Sequence, residues 1–469
     1  MISVLSPEFV RSKLGETEQR GDEMVPPAQT SLTDDVTTVT RTTETDSHVA
    51  AAMRPVIEGS FGRKIPIRFE FWDGSRLDPP DNTVATLRFN SPDGIRRLLW
   101  MPNELGLGRA YVSGDIDLAG DLFDVVVAFR DAKPEVGESR RAWRVLPTAV
   151  VAAKRVGALG RPLPPPPEEA RLRGWRHSLR RDASAIGHHY DVGNDFYRLV
   201  LGPTMTYSCA RFSQPDATLE EAQSAKHELV CRKLGLHDHA GARLLDVGCG
   251  WGSMAIHAAL HYDARVVGIT ISKPQADLAR QRVEEAGVAD RVEIRLQDYR
   301  DLSGESYDAI SSIGMSEHVG HGKLDKYFTT LRAVLVPQGR LLNHAISSVG
   351  GSTLGSRSFV GRYVFPDGEL IDVGGVVLAM ERAGFEVRDV ESLREHYART
   401  LRAWVSNLEG AWDEAVKLVG EPRAKVWRLY MAGSAVGFED GGISIHQVLG
   451  VVPTESGNAG MPMTRRDWS

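Results

Sequence analysis

Between residues 53 and 135 apolar and polar positions alternate in short runs. IPIRFEFWDG, TVATLRFNSPDGIRRLLW and LGRAYVSGDIDLAGDL change character every residue or two, and Asp-Gly and Asn-Ser-Pro-Asp turns separate them. A period of two with turn residues at the breaks is the pattern of half-buried strands. It predicts a small α+β domain, a compact antiparallel sheet with helices that ends near Arg130. From about Leu234 the pattern changes. RLLDVG, RVVGITIS, VEIRLQD, YDAISSIGM and RLLNHAIS are continuous apolar runs, separated by helical stretches such as KPQADLARQRVEEAG and LDKYFTTLRAVLV. Buried strands alternating with helices predict an α/β domain with a parallel sheet covered on both faces. FEVRDVESL and HQVLGVV would complete seven strands, in a domain spanning 183–455.

Three segments lack either period. Residues 1–52, with TSLTDDVTTVTRTTETDSH, are expected to be a disordered tail, and 456–469 a flexible C-terminal tail. Residues 136–182 read as a basic, Pro-rich linker. Arg140, Arg141, Arg144, Lys154, Arg155, Arg161, Arg171, Arg173, Arg176, Arg180 and Arg181 face only Glu168 and Glu169 across 140–181. PLPPPP in its middle is a stiff spacer. The segment is either a solvated connection or a landing patch for anionic lipid head groups.

Composition narrows the class. A net charge of -6 over 469 residues excludes a globally basic nucleic-acid binder. Three cysteines, Cys209, Cys231 and Cys249, imply a reducing cytoplasm, and their spacing suits no zinc site. The longest apolar runs, such as 149–153, fall far short of the roughly 20 residues of a spanning helix. The N-terminus lacks a signal-peptide layout. A soluble cytoplasmic protein is expected.

The first strand of the α/β domain runs into DVGCGWG, residues 246–252, and then a helix. Gly248, Gly250 and Gly252 allow a tight turn and close approach to a ligand at a helix N-terminus. The spacing is G-x-G-x-G, and Asp246 precedes the loop. That suits an amino-acid ammonium and a ribose rather than a pyrophosphate. It resembles motif I of class I S-adenosylmethionine-dependent methyltransferases. Thr270 stands where most of these carry an acidic ribose ligand.

This departure fits one group. HHYDVGNDFYRLVLGPTMTYSCARF, LLDVGCGWG, GITISKPQ, SSIGMSEHVG, FPDGEL and HYARTLRAW follow one another in this order between residues 188 and 404. On these motifs the chain, over roughly 55–452, resembles the cyclopropane-fatty-acyl-phospholipid synthases, which include mycolic-acid cyclopropane synthases and fatty-acid methyl-branching enzymes. The resemblance implies a Rossmann-like seven-stranded methyltransferase domain behind a lipid-carrier-like N-terminal domain. It implies S-adenosylmethionine as cofactor, with Tyr207 and Ser208 at its methionine end. The loop with Asp246, Gly248, Cys249, Gly250 and Gly252, and Thr270, Ile271, Ser272 and Gln275, would hold the methionine and ribose. Tyr299 and Arg300 would cover the adenine. A bound bicarbonate ion is implied, with Cys209, Glu317, His344 and Tyr397 as ligands and backbone near Ile346. Cys231 is read as structural, as is the thiol of Cys249.

The resemblance further implies an oleoyl-type phospholipid substrate; an anionic membrane surface at the inner face of the cell membrane and a homo-oligomer, a dimer, are expected as partners. Ser434 stands where many cyclopropane synthases carry cysteine, so a covalent-cysteine mechanism is not expected. Ser316 replaces a frequent Phe. With SAVGFEDG it looks more like the subgroup making 10-methylene and 10-methyl chains, for which a separate reductase would form the methyl branch. An alkene is a weak nucleophile, and its methylation creates a carbocation. The site must align the double bond, exclude water and supply a base. Plainer readings stand beside these. Cys209 suits a buried apolar site, His344 a hydrogen-bonded core position and Tyr397 a helix-packing face. His318 is left as a turn cap. Cyclopropanation, small-amine methylation and non-catalytic lipid binding are the rival functions.

Overall fold

The computed structural model describes residues 48–62, 64–132, 139–170, 192–351, 358–366 and 368–468. Most of the expected N-terminal tail, with Arg171, Arg173, Arg176, Arg180, Arg181 and His188–Tyr190, lies outside the described residues.

The first unit opens with helix α1 (His48–Phe61), whose Val49, Ala50, Met53 and Ile57 are buried. The chain therefore enters this domain several residues before the expected boundary. Strands β1 (Ile67–Glu70), β2 (Arg76–Leu77), β3 (Ala85–Phe89) and β4 (Ile116–Gly120) form a sheet of order β2-β1-β3-β4. The expected antiparallel pairing holds for β1–β2 and β3–β4, but β1 and β3 run parallel. Helices α2 (Pro92–Trp100), α3 (Glu104–Val112) and α4 (Leu122–Asp131) complete it. Helix α2 starts where the turn chemistry dictates: the Ser91 hydroxyl accepts from the Asp93 amide, and Pro92 fills the first helical position.

The supposed linker is largely ordered. Residues Ser139–Arg155 form a helix, α5, despite Pro147, and it packs against α1 and α2. Further on, Glu169 is buried and bonds the Arg109 guanidinium through both oxygens, at 2.7 and 2.8 Å.

The second unit contains α6 (Asn194–Leu201), α7 (Leu219–Lys233), β5 (Arg243–Val247), α8 (Ser253–Tyr262), β6 (Arg265–Thr270), α9 (Lys273–Glu285), β7 (Val292–Leu296) and β8 (Tyr307–Ile313). There follow α10 (Ser316–Val319), α11 (Leu324–Ala333), β9 (Leu335–Ser348), α12 (Phe359–Tyr363), β10 (Ile371–Asp372), α13 (Val373–Arg382) and β11 (Glu386–Ser392). Helices α14 (Arg394–Gly410), α15 (Trp412–Val419) and α16 (Glu421–Glu439) precede β12 (Ile443–Val451). The sheet order is β11-β12-β9-β8-β5-β6-β7, with β10 pairing beside β9. All seven expected strands are present. Parallel pairing runs from β9 to β7, while β12 and β11 join antiparallel. This is the class I methyltransferase fold.

One apolar cluster runs through both units, from Val49 and Phe89 to Trp404 and Trp427. Lys425 bonds Asp117 at 2.8 Å, and Arg428 donates to the Tyr111 hydroxyl at 3.2 Å. The last residues are not loose either: Trp468 is buried in the core beneath α8, and Arg465 pairs with Asp389.

Candidate active site

The strands β5, β6, β8 and β9 end at one cavity, where ligands bind in doubly wound sheets. Beyond β5 the glycine loop turns with Gly248, Gly250 and Gly252 at φ of +75°, +55° and +80°. A Cβ on Gly248 would lie 2.5 Å from the Met315 side chain, so only glycine passes there. The amides of Gly248 and Cys249 both donate to the Ile269 carbonyl, at 2.9 and 3.0 Å, tying the loop to β6.

Asp246 is buried at the end of β5. Its Oδ1 accepts from the hydroxyl of Ser311, its register partner on β8, at 2.7 Å. Its Oδ2 has no partner among the described residues. Burial pushes this carboxyl up to about 6. This oxygen is a buried acceptor whose hydrogen bond the described residues do not supply. On β6 the Thr270 hydroxyl donates to Gln275 Oε1 at 2.9 Å and accepts from the Ser272 amide at 3.2 Å. Arg300 lies over the Tyr299 ring, 5.5 Å from its centre, and bonds Asp298. Tyr299 meets Tyr327 edge-on.

Tyr207, Ser208, Asp246, Gly248, Cys249, Gly250, Thr270, Ile271, Gln275, Tyr299 and Arg300 all line this cavity. Gly252 and Ser272 do not; they sit where α8 and α9 begin and shape the backbone instead.

At the other end stands Glu317, in the first turn of α10. Its Oε1 accepts from the Ile346 amide at 2.8 Å, while Oε2 is buried without a partner among the described residues. Desolvation pushes this carboxyl up to about 7. The Ile346 amide, expected to contact a small anion, is thus already taken by Glu317. Tyr397 lines the cavity and packs against Phe438 and Trp404.

The other two members of the expected ligand set are not on the cavity wall. The Cys209 thiol is fully buried and directed at the carbonyls of Ala210 and Leu393. Burial raises its pKa, so it stays a neutral thiol. His344 lies on the same face of β9 as Ile346, one step deeper. Its Nδ1 meets the Gln447 amide nitrogen at 3.3 Å, and Nε2 is buried without a partner among the described residues. Burial holds the ring well below the usual imidazole range. With Nδ1 accepting, the neutral ring carries its proton on Nε2. Of the four expected ligands, Glu317 and Tyr397 line the cavity, while His344 and Cys209 lie behind its wall, the thiol already engaged with two carbonyls.

Ser316 is buried but lies off the cavity wall, whereas its neighbour His318 lines it, 6.1 Å from the Phe365 ring centre. Sequence reasoning also passed over Lys226, Tyr430 and the lining role of Ser434. A signal for Lys226 was available: it interrupts the apolar stripe of α7, where Leu219, Ala222, Leu229 and Val230 are buried. Among the described residues no cluster of His, Cys, Asp and Glu is arranged to hold a metal ion.

Fold and site together define an S-adenosylmethionine-dependent methyltransferase. The chain belongs to the family described as mycolic acid cyclopropane synthetase, whose profile matches residues 177–448. It is 43% identical over 415 residues to the probable fatty acid methyltransferase Rv3720 of Mycobacterium tuberculosis, covering 86% of this chain and 94% of that one. Identity to the cyclopropane-fatty-acyl-phospholipid synthase of Escherichia coli K12 is 34% over 369 residues, 78% of this chain and 87% of that one. Among solved structures, mycolic acid cyclopropane synthase CmaA1 complexed with SAH and CTAB matches with a TM-score of 0.54 and 36% identity, over 57% of this chain and 97% of that one.

Proposed function

We propose that this enzyme methylates the cis double bond of an oleoyl-type acyl chain in a phospholipid and releases a 10-methylene chain. The observation that carries this reading is the Glu317 carboxyl, bare at Oε2, in a cavity whose lining includes Val319, Val360, Phe365, Leu370, Leu401 and Ile443. Such walls suit an alkyl chain and exclude water from a cation. CmaA1, solved in complex with SAH and CTAB, supports the pairing of cofactor and alkyl group.

When bound, S-adenosylmethionine supplies an electrophilic methyl group on a sulfonium. The alkene π pair forms the new C–C bond as the C–S bond breaks, leaving a carbocation on the acyl chain. A hydride shift followed by proton loss from the added methyl gives the exocyclic methylene. Glu317, poised near neutrality, is suited to receive that proton. The Ile346 amide fixes its other oxygen, so Oε2 alone is offered. Glu317 and Tyr397 on the cavity wall, with the buried His344 behind it, are the residues that would hold a bicarbonate, which would supply a base that stays charged beside the cation.

The similarity to Rv3720, named a probable fatty acid methyltransferase, favours a methylated product. A separate reductase would be needed to turn the methylene into a methyl branch. Cyclopropanation is the second reading, favoured by the 34% identity to the Escherichia coli synthase. Peripheral binding to an anionic membrane at its cytoplasmic face is part of the proposal. It is supported by α5, which exposes Leu146, Val150 and Val151 ahead of Lys154 and Arg155, close to exposed Trp100. Among the described residues no helix is long and apolar enough to cross a membrane.

Expression in a host rich in oleoyl phospholipid tests the product. Both products add one CH2 in mass, so proton NMR of the extracted lipids must separate vinylidene from upfield cyclopropane signals. Vinylidene signals are expected; cyclopropane signals alone would overturn the methylene reading.

A further inference from the structure

Helix α7 buries two ammonium groups two turns apart, and the fold treats them differently. Lys233 is neutralised by two carboxylates, Asp389 at 3.0 Å and Glu391 at 2.5 Å. Lys226 is equally buried, 1% exposed, yet among the described residues it bonds only the Ser208 hydroxyl, at 3.1 Å. No carboxylate lies within ion-pair distance of it among those residues. A buried cation is costly unless an anion meets it. The desolvation is evident in its ammonium, held down to about 7.

Both Lys226 and Ser208 line the cavity, and so does Asp246 with its bare Oδ2. Among the described residues, the cavity thus offers a buried ammonium with no ion pair and a carboxylate oxygen with no hydrogen bond, near enough to feel each other's charge but not in contact. A zwitterion of the α-amino-acid type satisfies both.

We infer that Lys226, with Ser208, binds the α-carboxylate of S-adenosylmethionine while Asp246 takes the α-ammonium. Ser208 donates its hydroxyl proton to the carboxylate once Lys226 occupies the hydroxyl's lone pair, so the two act as one anion site. The fold supplies this pair from far apart: Ser208 comes from the loop before α7 and Lys226 from its middle turn. Gln223, one turn earlier, donates to the Ser208 carbonyl at 2.8 Å and fixes that loop against the helix. Nothing in the inference depends on which acyl product is made.

The test is calorimetric binding of S-adenosylmethionine and of its decarboxylated analogue, without lipid, to wild type, Lys226→Met and Lys226→Arg. Wild type is expected to prefer the carboxylated ligand by at least about 10-fold, in the range of a buried charge-assisted contact. Lys226→Met should weaken S-adenosylmethionine by about that factor and leave the analogue within roughly 3-fold, so the preference collapses. Lys226→Arg should keep part of it. The apo form of Lys226→Met should unfold at a higher temperature than wild type, since a buried cation without a counter-ion has been removed. Equal weakening of both ligands, or unchanged binding of S-adenosylmethionine, would overturn the inference. Should the variants fail to fold, a wild type that binds both ligands equally overturns it alone. Loss of the methylene product in the lipid assay, with these affinities as expected, would indict the acyl reading instead.

Discussion

Asp246 and Glu317 are the same device built twice. Each carboxyl sits at or just past the end of a central strand, each is enclosed, and each has one oxygen held by the protein and one left bare. They differ in who holds the first oxygen and who stands nearby. Asp246 is held by the Ser311 side chain across adjacent strands, in a region that also contains the Lys226 ammonium. Glu317 is held by the Ile346 amide, and burial outweighs that bond in raising its pKa. Burial raises both carboxyls, Asp246 to about 6 and Glu317 to about 7, and of the two only Asp246 also feels a cation, Lys226. On the reading proposed above, the Asp246 end of the cavity binds the cofactor and the Glu317 end reacts.

Substitutions that keep the shape and remove the charge separate the two. Glu317→Gln should lower turnover by about 10²-fold or more while leaving cofactor affinity within a few-fold. Asp246→Asn should do the reverse, weakening S-adenosylmethionine by roughly 10-fold or more and sparing turnover at saturation better than Glu317→Gln does. Calorimetry and single-turnover product formation read the two effects. If both variants lost affinity and turnover in equal proportion, the division between binding and reacting ends would collapse.

Stability against pH sharpens the same comparison. The Glu317 carboxyl rises from 4.5 to about 7 on folding, so the folded state holds a proton that the unfolded chain releases between those values. Stability from this group is therefore fully present below pH 4.5 and falls as pH rises to about 7, by roughly 3 kcal/mol. Asp246, raised from 3.8 to about 6, acts in the same direction. Lys226 acts oppositely: its ammonium falls from 10.5 to about 7, so stability increases as pH rises through that window. Glu317→Gln should remove the first loss alone. Urea unfolding of the apo protein at pH 5 and pH 8 should show the variant gaining on wild type at the higher pH. An equal difference at both values would mean that Glu317 titrates normally.

The parts of this site that depend on local chain chemistry were legible in the sequence. The loop from Asp246 to Gly252 follows from glycine spacing after a strand, while Glu317 was marked only by the family resemblance of SSIGMSEHVG. What could not be read depends on distant partners. The Cys209 thiol turns to the carbonyl of Leu393, 184 residues away in the chain, and no spacing encodes that. Helix α5 was hidden by Pro147 and a run of arginines, which look like a linker until α1 and α2 supply a surface to pack on. Trp468 is likewise buried by contacts its neighbours do not announce.

Ser316 gives the smallest expected effect and the most direct check on reading side-chain placement from a motif. As the residue beside Glu317 it looked suited to steer the product. The turn of α10 instead sends Glu317 and His318 to the cavity and Ser316 into the packed interior. Ser316→Ala removes a hydroxyl that touches no acyl chain, so the ratio of vinylidene to cyclopropane signals should stay within error of wild type. Ser434→Cys changes a residue that does line the cavity, and any shift in that ratio should appear there first. A product change in Ser316→Ala with none in Ser434→Cys would mean that packing behind Glu317, rather than the cavity wall, decides which proton leaves.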